Sequence, residues 1–169
     1  MSRFIFPGKV ILVPGFDALY RQTVTLFNRI KDADGETYWF PTVLRGVHLI
    51  DSQSATWNSQ GGARNDNAEL RVRFQVKGGV ILVAEKPYYE PKQYRLLDEP
   101  DKAITFSFGH NDDSDFFMEG EFDFDGAISD DAFDRHGFYN YMNKTRDGVY
   151  SIIGCSRFYL IPHFSITAR

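Results

Sequence analysis

The stretch Glu69-Leu70-Arg71-Val72-Arg73-Phe74-Gln75-Val76 alternates apolar and polar residues without a break. A β-strand turns successive side chains to opposite faces, so this pattern predicts a strand with Leu70, Val72, Phe74 and Val76 buried and Glu69, Arg71, Arg73 and Gln75 in water. Thr23–Phe27 behaves similarly. Ala103–Phe108 does too, with Ile104, Phe106 and Phe108 on one face. A longer alternation runs through Phe116, Met118, Gly120, Phe122 and Phe124, with Phe117, Glu119, Glu121, Asp123 and Asp125 opposite.

Turn signals separate these strands. Asp32-Ala33-Asp34-Gly35 lies between Thr23–Ile30 and Thr37–Ile50 and predicts a hairpin. Lys77-Gly78-Gly79 marks a turn before the apolar run Val80–Ala84. One helix is expected over Asp130–Arg146, with Ser129 as N-cap, Asp130 and Asp131 at its positive end, and Asp147-Gly148 as its stop. Gly137 falls inside that span. The fold class that follows is mainly β: a small β-barrel or sandwich with one helix in the C-terminal half. The 169 residues form a single β-rich domain spanning 1–169. Sixteen Phe and nine Tyr suit such a sheet.

Residues 51–67 break the pattern. The segment is rich in Ser, Asn and Gly, lacks periodicity, and sits between two strong strands. It reads as a long polar loop, and loops of about 17 residues are functional or disordered. Ser52, Ser54, Trp57, Gly61, Gly62, Arg64 and Asn67 are its candidate channel or assembly residues. Few apolar contacts hold it, so it is expected to be loose in the isolated chain and ordered by neighbours in an assembly.

The net charge of −4 conceals an asymmetry. Residues 98–134 carry 13 acidic groups and one basic, while the segments on either side are each net basic by four. Such a block is a solvated acidic surface, a face for a basic partner, or a lining that keeps DNA from adhering.

Tests for chemistry find little. The sequence lacks a Walker A loop, GxGxxG and a nucleophile elbow, and Gly61-Gly62-Ala63-Arg64 is not followed by Lys-Ser/Thr. Cys155 is the single cysteine, so it reads as a buried structural thiol in a strand. His48 is expected to be structural, and His110–Asp115 to be a solvated loop. Glu121–Ser129 mimics a calcium loop, but Ala132 stands where the closing bidentate Glu belongs. Arg71 and Arg73 share their strand face with Glu69, which disfavours base readout. We therefore expect a non-enzyme with no catalytic, cofactor-binding or metal-binding residues, and no membrane span.

Three motifs carry a resemblance. They are Val24-Thr25-Leu26-Phe27-Asn28-Arg29, then Asp32-Ala33-Asp34-Gly35, then Tyr38-Trp39-Phe40-Pro41-Thr42-Val43-Leu44-Arg45-Gly46-Val47-His48. Together they resemble the opening hairpin of small structural proteins of tailed phages and prophages, the minor capsid and head-closure (stopper) proteins of the neck. The ending Leu160–Arg169 and the run Gly137–Met142 are similar to a lesser degree. The resemblance implies a structural virion protein, assembled in the host cytoplasm as a homo-oligomeric ring around the DNA channel. Its implied neighbours are portal or adaptor and tail proteins, with packaged DNA passing without sequence readout. The implied role of Ser52–Asn67 is a loop pushed into the channel. Two other readings remain. One is a β-sandwich module binding carbohydrate or peptide through Trp57 and Tyr88-Tyr89. The other is a hydrolase using two carboxylates of the acidic block.

Overall fold

The computed structural model describes residues 18–58, 61–110, 114–124, 126–133 and 135–169; of residues 52–58 and 61–66 it describes the backbone only. Ten strands and three short helices follow in order. They are β1 (Gln22–Lys31), β2 (Thr37–Asn58), β3 (Gly61–Arg73), β4 (Gln75–Lys77), β5 (Val80–Val83), β6 (Lys86–Pro87), α1 (Pro91–Arg95), α2 (Glu99–Ile104), β7 (Phe116–Glu119), β8 (Ile128–Ser129), α3 (Phe138–Thr145), β9 (Val149–Phe158) and β10 (His163–Ala168).

Six strands close into a barrel in the order β1-β7-β9-β10-β3-β2, with β2 returning to β1. Every pairing in the ring is antiparallel. Closure removes the sheet edges that would otherwise offer unpaired backbone groups. The strand β8 adds to β2 at Tyr38 and Trp39.

The barrel depends on β2 changing partners. Its first half pairs with β1 up to Gln22↔Val47, and its second half pairs with β3 from His48↔Arg71 onward. The switch coincides with a bulge between Gln22 and Thr23, where Gly46 takes φ +72°. Only glycine adopts that conformation cheaply, and bulges bend strands at barrel corners. Beyond the corner the Gln22 side chain acts as one more ladder rung: Leu49 N–H donates to its Oε1 at 2.9 Å, and its Nε2 donates to Leu49 O at 3.1 Å.

Inside the barrel lie Val24, Leu26, Leu44, Val47, Leu70, Val72, Phe117, Ile152, Phe164 and Ile166. Phe74, Val83, Tyr88, Phe106 and Phe108 join the same core. They come from the chain between β3 and β7, which plugs one barrel mouth. A second apolar cluster (Phe27, Trp39, Phe116, Met118, Ile128, Phe138, Met142 and Val149) covers the outer wall under α3. Phe27 stacks on Phe116 at 4.6 Å and meets the edge of Phe138 at 5.2 Å. With both faces covered, β7 buries Phe116, Phe117 and Met118 in succession. Ile30, Phe40 and Tyr94 form a third cluster that seats α1.

Several expectations hold. Leu70, Val72 and Phe74 are buried, and the Asp32–Gly35 turn joins β1 to β2. Asp32 Oδ1 accepts the N–H groups of Asp34 and Glu36, and Gly35 takes φ +89°. Gly78 and Gly79, both at positive φ, turn β4 into β5.

Others are corrected. Val76 is 51% exposed, because the ladder ends at Arg73 and β4 belongs to a separate three-stranded meander with β5 and β6. Ile104 is exposed rather than part of a strand face, since α2 ends there; Phe106 and Phe108 are buried as expected. The alternation through the acidic segment stops at Gly120 (φ +86°), leaving Phe122 half-buried and Phe124 exposed. Residues 130–146 are not one helix. A 3₁₀ turn at Asp130–Ala132 precedes the break, and α3 starts only after Gly137, whose φ of +86° no helix accommodates.

Candidate functional site

Asp115 is the most enclosed charged side chain among the described residues, fully buried at the start of β7. Its Oδ1 accepts the Arg29 N–H at 2.8 Å. Its Oδ2 accepts Asn28 Nδ2 at 2.7 Å and the Gly109 N–H at 2.5 Å. Its own N–H donates to Gly109 O, and its carbonyl accepts the Ile152 N–H. Asn28 Nδ2 also donates to Ser107 O at 2.6 Å. The carboxylate thus ties β1 to the plug segment, and the main chain of the same residue adds β9. Burial pushes its pKa up to about 6, against the pull of the N–H donors and the nearby Arg95 guanidinium. A Cβ at Gly109 would sit 2.8 Å from Asp115 Oδ2, so only glycine lets the carboxylate approach. The adjoining cavity is about 10 Å³, room for one water-sized molecule and no substrate.

The solvated-loop expectation for His110–Asp115 is corrected at its end: Ser114 is half-buried and Asp115 buried, while residues 111–113 lie outside the described residues. The pairing of Asn28 with Asp115 left one trace in the sequence. Asn28 is two residues beyond Leu26 on the inward face of a strand, where a polar residue needs a partner.

A larger cleft, about 250 Å³, opens on the outer wall between β1, β9 and α3, lined by Arg29, Ser114, Asp130, His136, Tyr139 and Asn140 among others. Asp130 anchors it. Its Oδ1 accepts Trp39 Nε1 and the Phe138 N–H, both at 2.8 Å, so this side chain caps α3 from eight residues upstream. On the opposite wall Glu69 Oε1 accepts Arg71 Nε at 2.8 Å and the Ser165 hydroxyl at 2.9 Å. Arg71 and Ser165 hold the Glu69 carboxyl below its ordinary range despite some burial. The Ser165 proton goes to a carboxylate already paired with arginine, which is not the arrangement that activates a serine nucleophile.

Cys155 is half-buried in β9, and burial pushes its thiol up to about 12. It stays protonated at neutral pH. His48 lies on β2 with its ring 5.8 Å from that of Tyr20. Ile128 and Ser129 form β8, so Glu121–Ser129 leads into a strand rather than a calcium-binding helix, and Glu121 pairs with Arg45 instead. Among the described residues no group of three or more His, Cys, Asp or Glu is placed to hold a metal.

The segment expected as a long polar loop is, in its backbone, a hairpin. From Asp51↔Ala68 the ladder continues through Ser52↔Asn67, Gln53↔Asp66, Ser54↔Asn65, Ala55↔Arg64, Thr56↔Ala63 and Trp57↔Gly62 to Asn58↔Gly61. The side chains of Ser52, Ser54, Trp57 and Arg64 lie outside what the structure describes, and Gly61 and Gly62 are placed in the backbone ladder; Asn67 is exposed. The neighbouring strand β10 pairs with β3 only as far as Ala168↔Ala68. Among the described strands, residues 52–58 and 61–67 form ladder pairs only with each other, so β2 and β3 continue past the last rung of β10 as a two-stranded arm. The register set at Leu49↔Leu70 carries on without interruption, which the polar composition hid.

The fold thus defines a closed six-stranded antiparallel barrel with a plugged mouth and a projecting β-hairpin arm. Residues 19–169 match the model of DUF6751, a family of unknown function, and the chain belongs to that family. No curated protein and no solved structure matches the chain. Among the described residues no helix is long and apolar enough to cross a membrane.

Proposed function

We propose that this chain is a structural virion protein of a tailed phage or prophage, part of the head–tail neck, working as a ring around the DNA channel. The observation that carries the reading is the β2–β3 arm, which continues seven residue pairs beyond the last rung that β10 shares with β3. A two-stranded ribbon is marginal by itself in water, so an arm of this length calls for neighbours. In a ring, arms from successive subunits would converge and supply them. But for Arg64 and Asp66, which offset each other, the arm's residues are uncharged and mostly polar, a composition suited to contact DNA without holding it.

The carbohydrate- or peptide-binding alternative loses an anchor. Tyr88 is buried in the barrel core against Phe164 at 4.7 Å, and Tyr89 is half-buried.

The test is to replace Ala55–Arg64 by Asn-Gly, a two-residue turn between the paired residues Ser54 and Asn65. The shortened protein should fold with unchanged thermal stability, while particles carrying it lose packaged DNA or infectivity. Particles that remain fully infectious would exclude the channel role.

A further inference from the structure

The turn joining β9 to β10 is apolar where a turn is ordinarily polar. Phe158 is 50% exposed, Tyr159 60%, Leu160 99% and Ile161 53%, with Pro162 following. Such a run of exposed apolar residues is a liability in water unless something uses it. The turn is nonetheless held in place. The Phe158 ring stacks on His163 at 5.0 Å, the Tyr159 ring meets the edge of Phe74 at 5.7 Å, and the Phe74 N–H donates to Pro162 O at 3.2 Å. Arg157 beside it is already paired with Glu90 at the N-cap of α1, so the tip offers apolar area and not charge.

The chain enters the barrel close to this tip. Tyr20 is buried, its ring 5.8 Å from that of His48 and 4.3 Å from the Arg73 guanidinium. Arg73 is the rung partner of His163, and His163 is the rung partner of Phe158. Directly paired residues share a face of the sheet. Their neighbours Val72 and Phe164 fill the barrel, so Arg73, His163 and Phe158 form one row across its outer wall. Tyr20 stands at one end of that row. The tip stands at the other, two strand spacings or about 10 Å from Arg73. The sequence before Tyr20 carries the apolar run Val10-Ile11-Leu12-Val13, then Pro14-Gly15. Val13 is seven residues from Tyr20. A tether of that length spans up to about 23 Å when extended, more than the row requires.

We propose that the turn Phe158–Pro162 is the seat of Val10–Val13 of the same chain, an apolar strap laid across the outer wall. Apolar side chains stand on both sides of the contact, and their burial takes the exposed run out of water. The tether decides which copy supplies the segment. A run held so near its seat is present at roughly millimolar effective concentration, which a second copy in dilute solution does not match. The strap ties the chain entry at Tyr20 to the β9–β10 turn, and through Tyr159 to Phe74, where β3 leaves the ladder. It needs no second subunit, so it holds or fails apart from the ring.

Amide exchange of the full chain reads the contact. In the wild type, Val10–Val13 should exchange about tenfold or more slowly than a free peptide of that sequence. Leu160→Asp should abolish this protection while Leu70 and Val72 in β3 stay as protected as before. Leu160→Ser serves the same purpose should the aspartate variant fail to fold. Cysteine pairs in a Cys155→Ser background then show which copy supplies the segment. Ile11→Cys or Leu12→Cys, combined with Leu160→Cys in one chain, should close a disulfide within the monomer. Mixtures of the single variants should give few crosslinked dimers. Any of four results would overturn the proposal: Val10–Val13 exchanging as freely as the peptide, protection that survives the Leu160 substitutions, neither cysteine pair closing, or disulfides that form between chains in preference to within them.

Discussion

Asn28 donates its side-chain amide to the Asp115 carboxylate at 2.7 Å, inside the barrel wall and 87 residues along the chain. The same amide group donates to Ser107 O, while Asn28 Oδ1 accepts the Ser107 N–H at 3.3 Å. Asn28 therefore behaves as a strand partner for the plug segment and Asp115 as its lock. Replacing Asp115 by Asn places an amino group among N–H donors. A buried donor left without an acceptor costs about 1–3 kcal/mol, more where charge-assisted bonds are lost. Urea unfolding of Asp115→Asn should show a loss of about 2–4 kcal/mol.

The same carboxyl gives a pH signature. Its pKa of about 6 in the folded chain lies above the ordinary aspartate value near 3.9. Between those values the folded state holds a proton that the unfolded state has released, so stability falls as pH rises through that window and levels off above it. The two-unit difference corresponds to about 3 kcal/mol. Asp115→Asn lacks this group, so the stability difference between wild type and variant should shrink as pH rises from 4 to 6. A difference independent of pH would mean that the N–H donors hold the carboxylate ionised throughout.

Gly137 is required twice. Its φ of +86° lies where side chains are strained, and a Cβ there would come within 2.5 Å of Asp130 Oδ2. Gly137→Ala should destabilise the chain by about 2–4 kcal/mol and displace the carboxylate from Trp39 Nε1. The change should register as a shift in tryptophan emission. Adding Asp130→Ala relieves the clash but not the backbone strain, so the double variant should not recover wild-type stability.

The β5–β6 turn carries an opposite lesson. Ala84 (φ 46°) and Glu85 (φ 69°) occupy a two-residue hairpin turn between the paired residues Val83 and Lys86. Left-handed backbone costs an ordinary residue about 1–2 kcal/mol, and such turns favour Asn-Gly. Glu85 is exposed, and the ion pair it makes with Lys77 at 3.7 Å contributes little. Glu85→Gly should therefore raise the melting temperature by about 2–4 °C.

The sequence was legible where one rule acted alone. Leu70 and Val72 show their burial because β3 has one wet face and one dry one. Val76 continues the same rhythm but follows Phe74, where the chain leaves the ladder, and alternation carries no mark of that exit. The helices α1 and α2 begin at Glu90-Pro91 and Asp98-Glu99-Pro100, a proline-at-the-start signal that the alternation of Ile104, Phe106 and Phe108 obscured. Asp130 looked like a first-turn residue of its own helix, and it caps a later one. Asp115 carried no mark of its own, since Asn28, 87 residues away, becomes its neighbour only after the barrel closes. The arm was hidden for a simpler reason: with polar residues on both strands, a ladder has no hydrophobic period to read.

The corner of the barrel supplies the last prediction. Gln22 meets the backbone of Leu49 with both ends of its side-chain amide, where Gly46 has bent β2 away from β1. Without it, Leu49 N–H and C=O would lose partners at the root of the arm, since His48↔Arg71 is already the first rung of the next ladder. Gln22→Leu removes both bonds and should cost about 1–3 kcal/mol. Gln22→Glu keeps an acceptor for Leu49 N–H but sets a carboxylate against Leu49 O, so it should recover little of that loss at neutral pH and more of it in acid, where the protonated carboxyl can donate. Amide exchange gives the local readout: the Leu49 N–H should exchange faster in Gln22→Leu while Val24 and Leu26 in β1 keep their protection. If Leu49 remains as protected as in the wild type, the Gln22 side chain is not the rung that holds the corner.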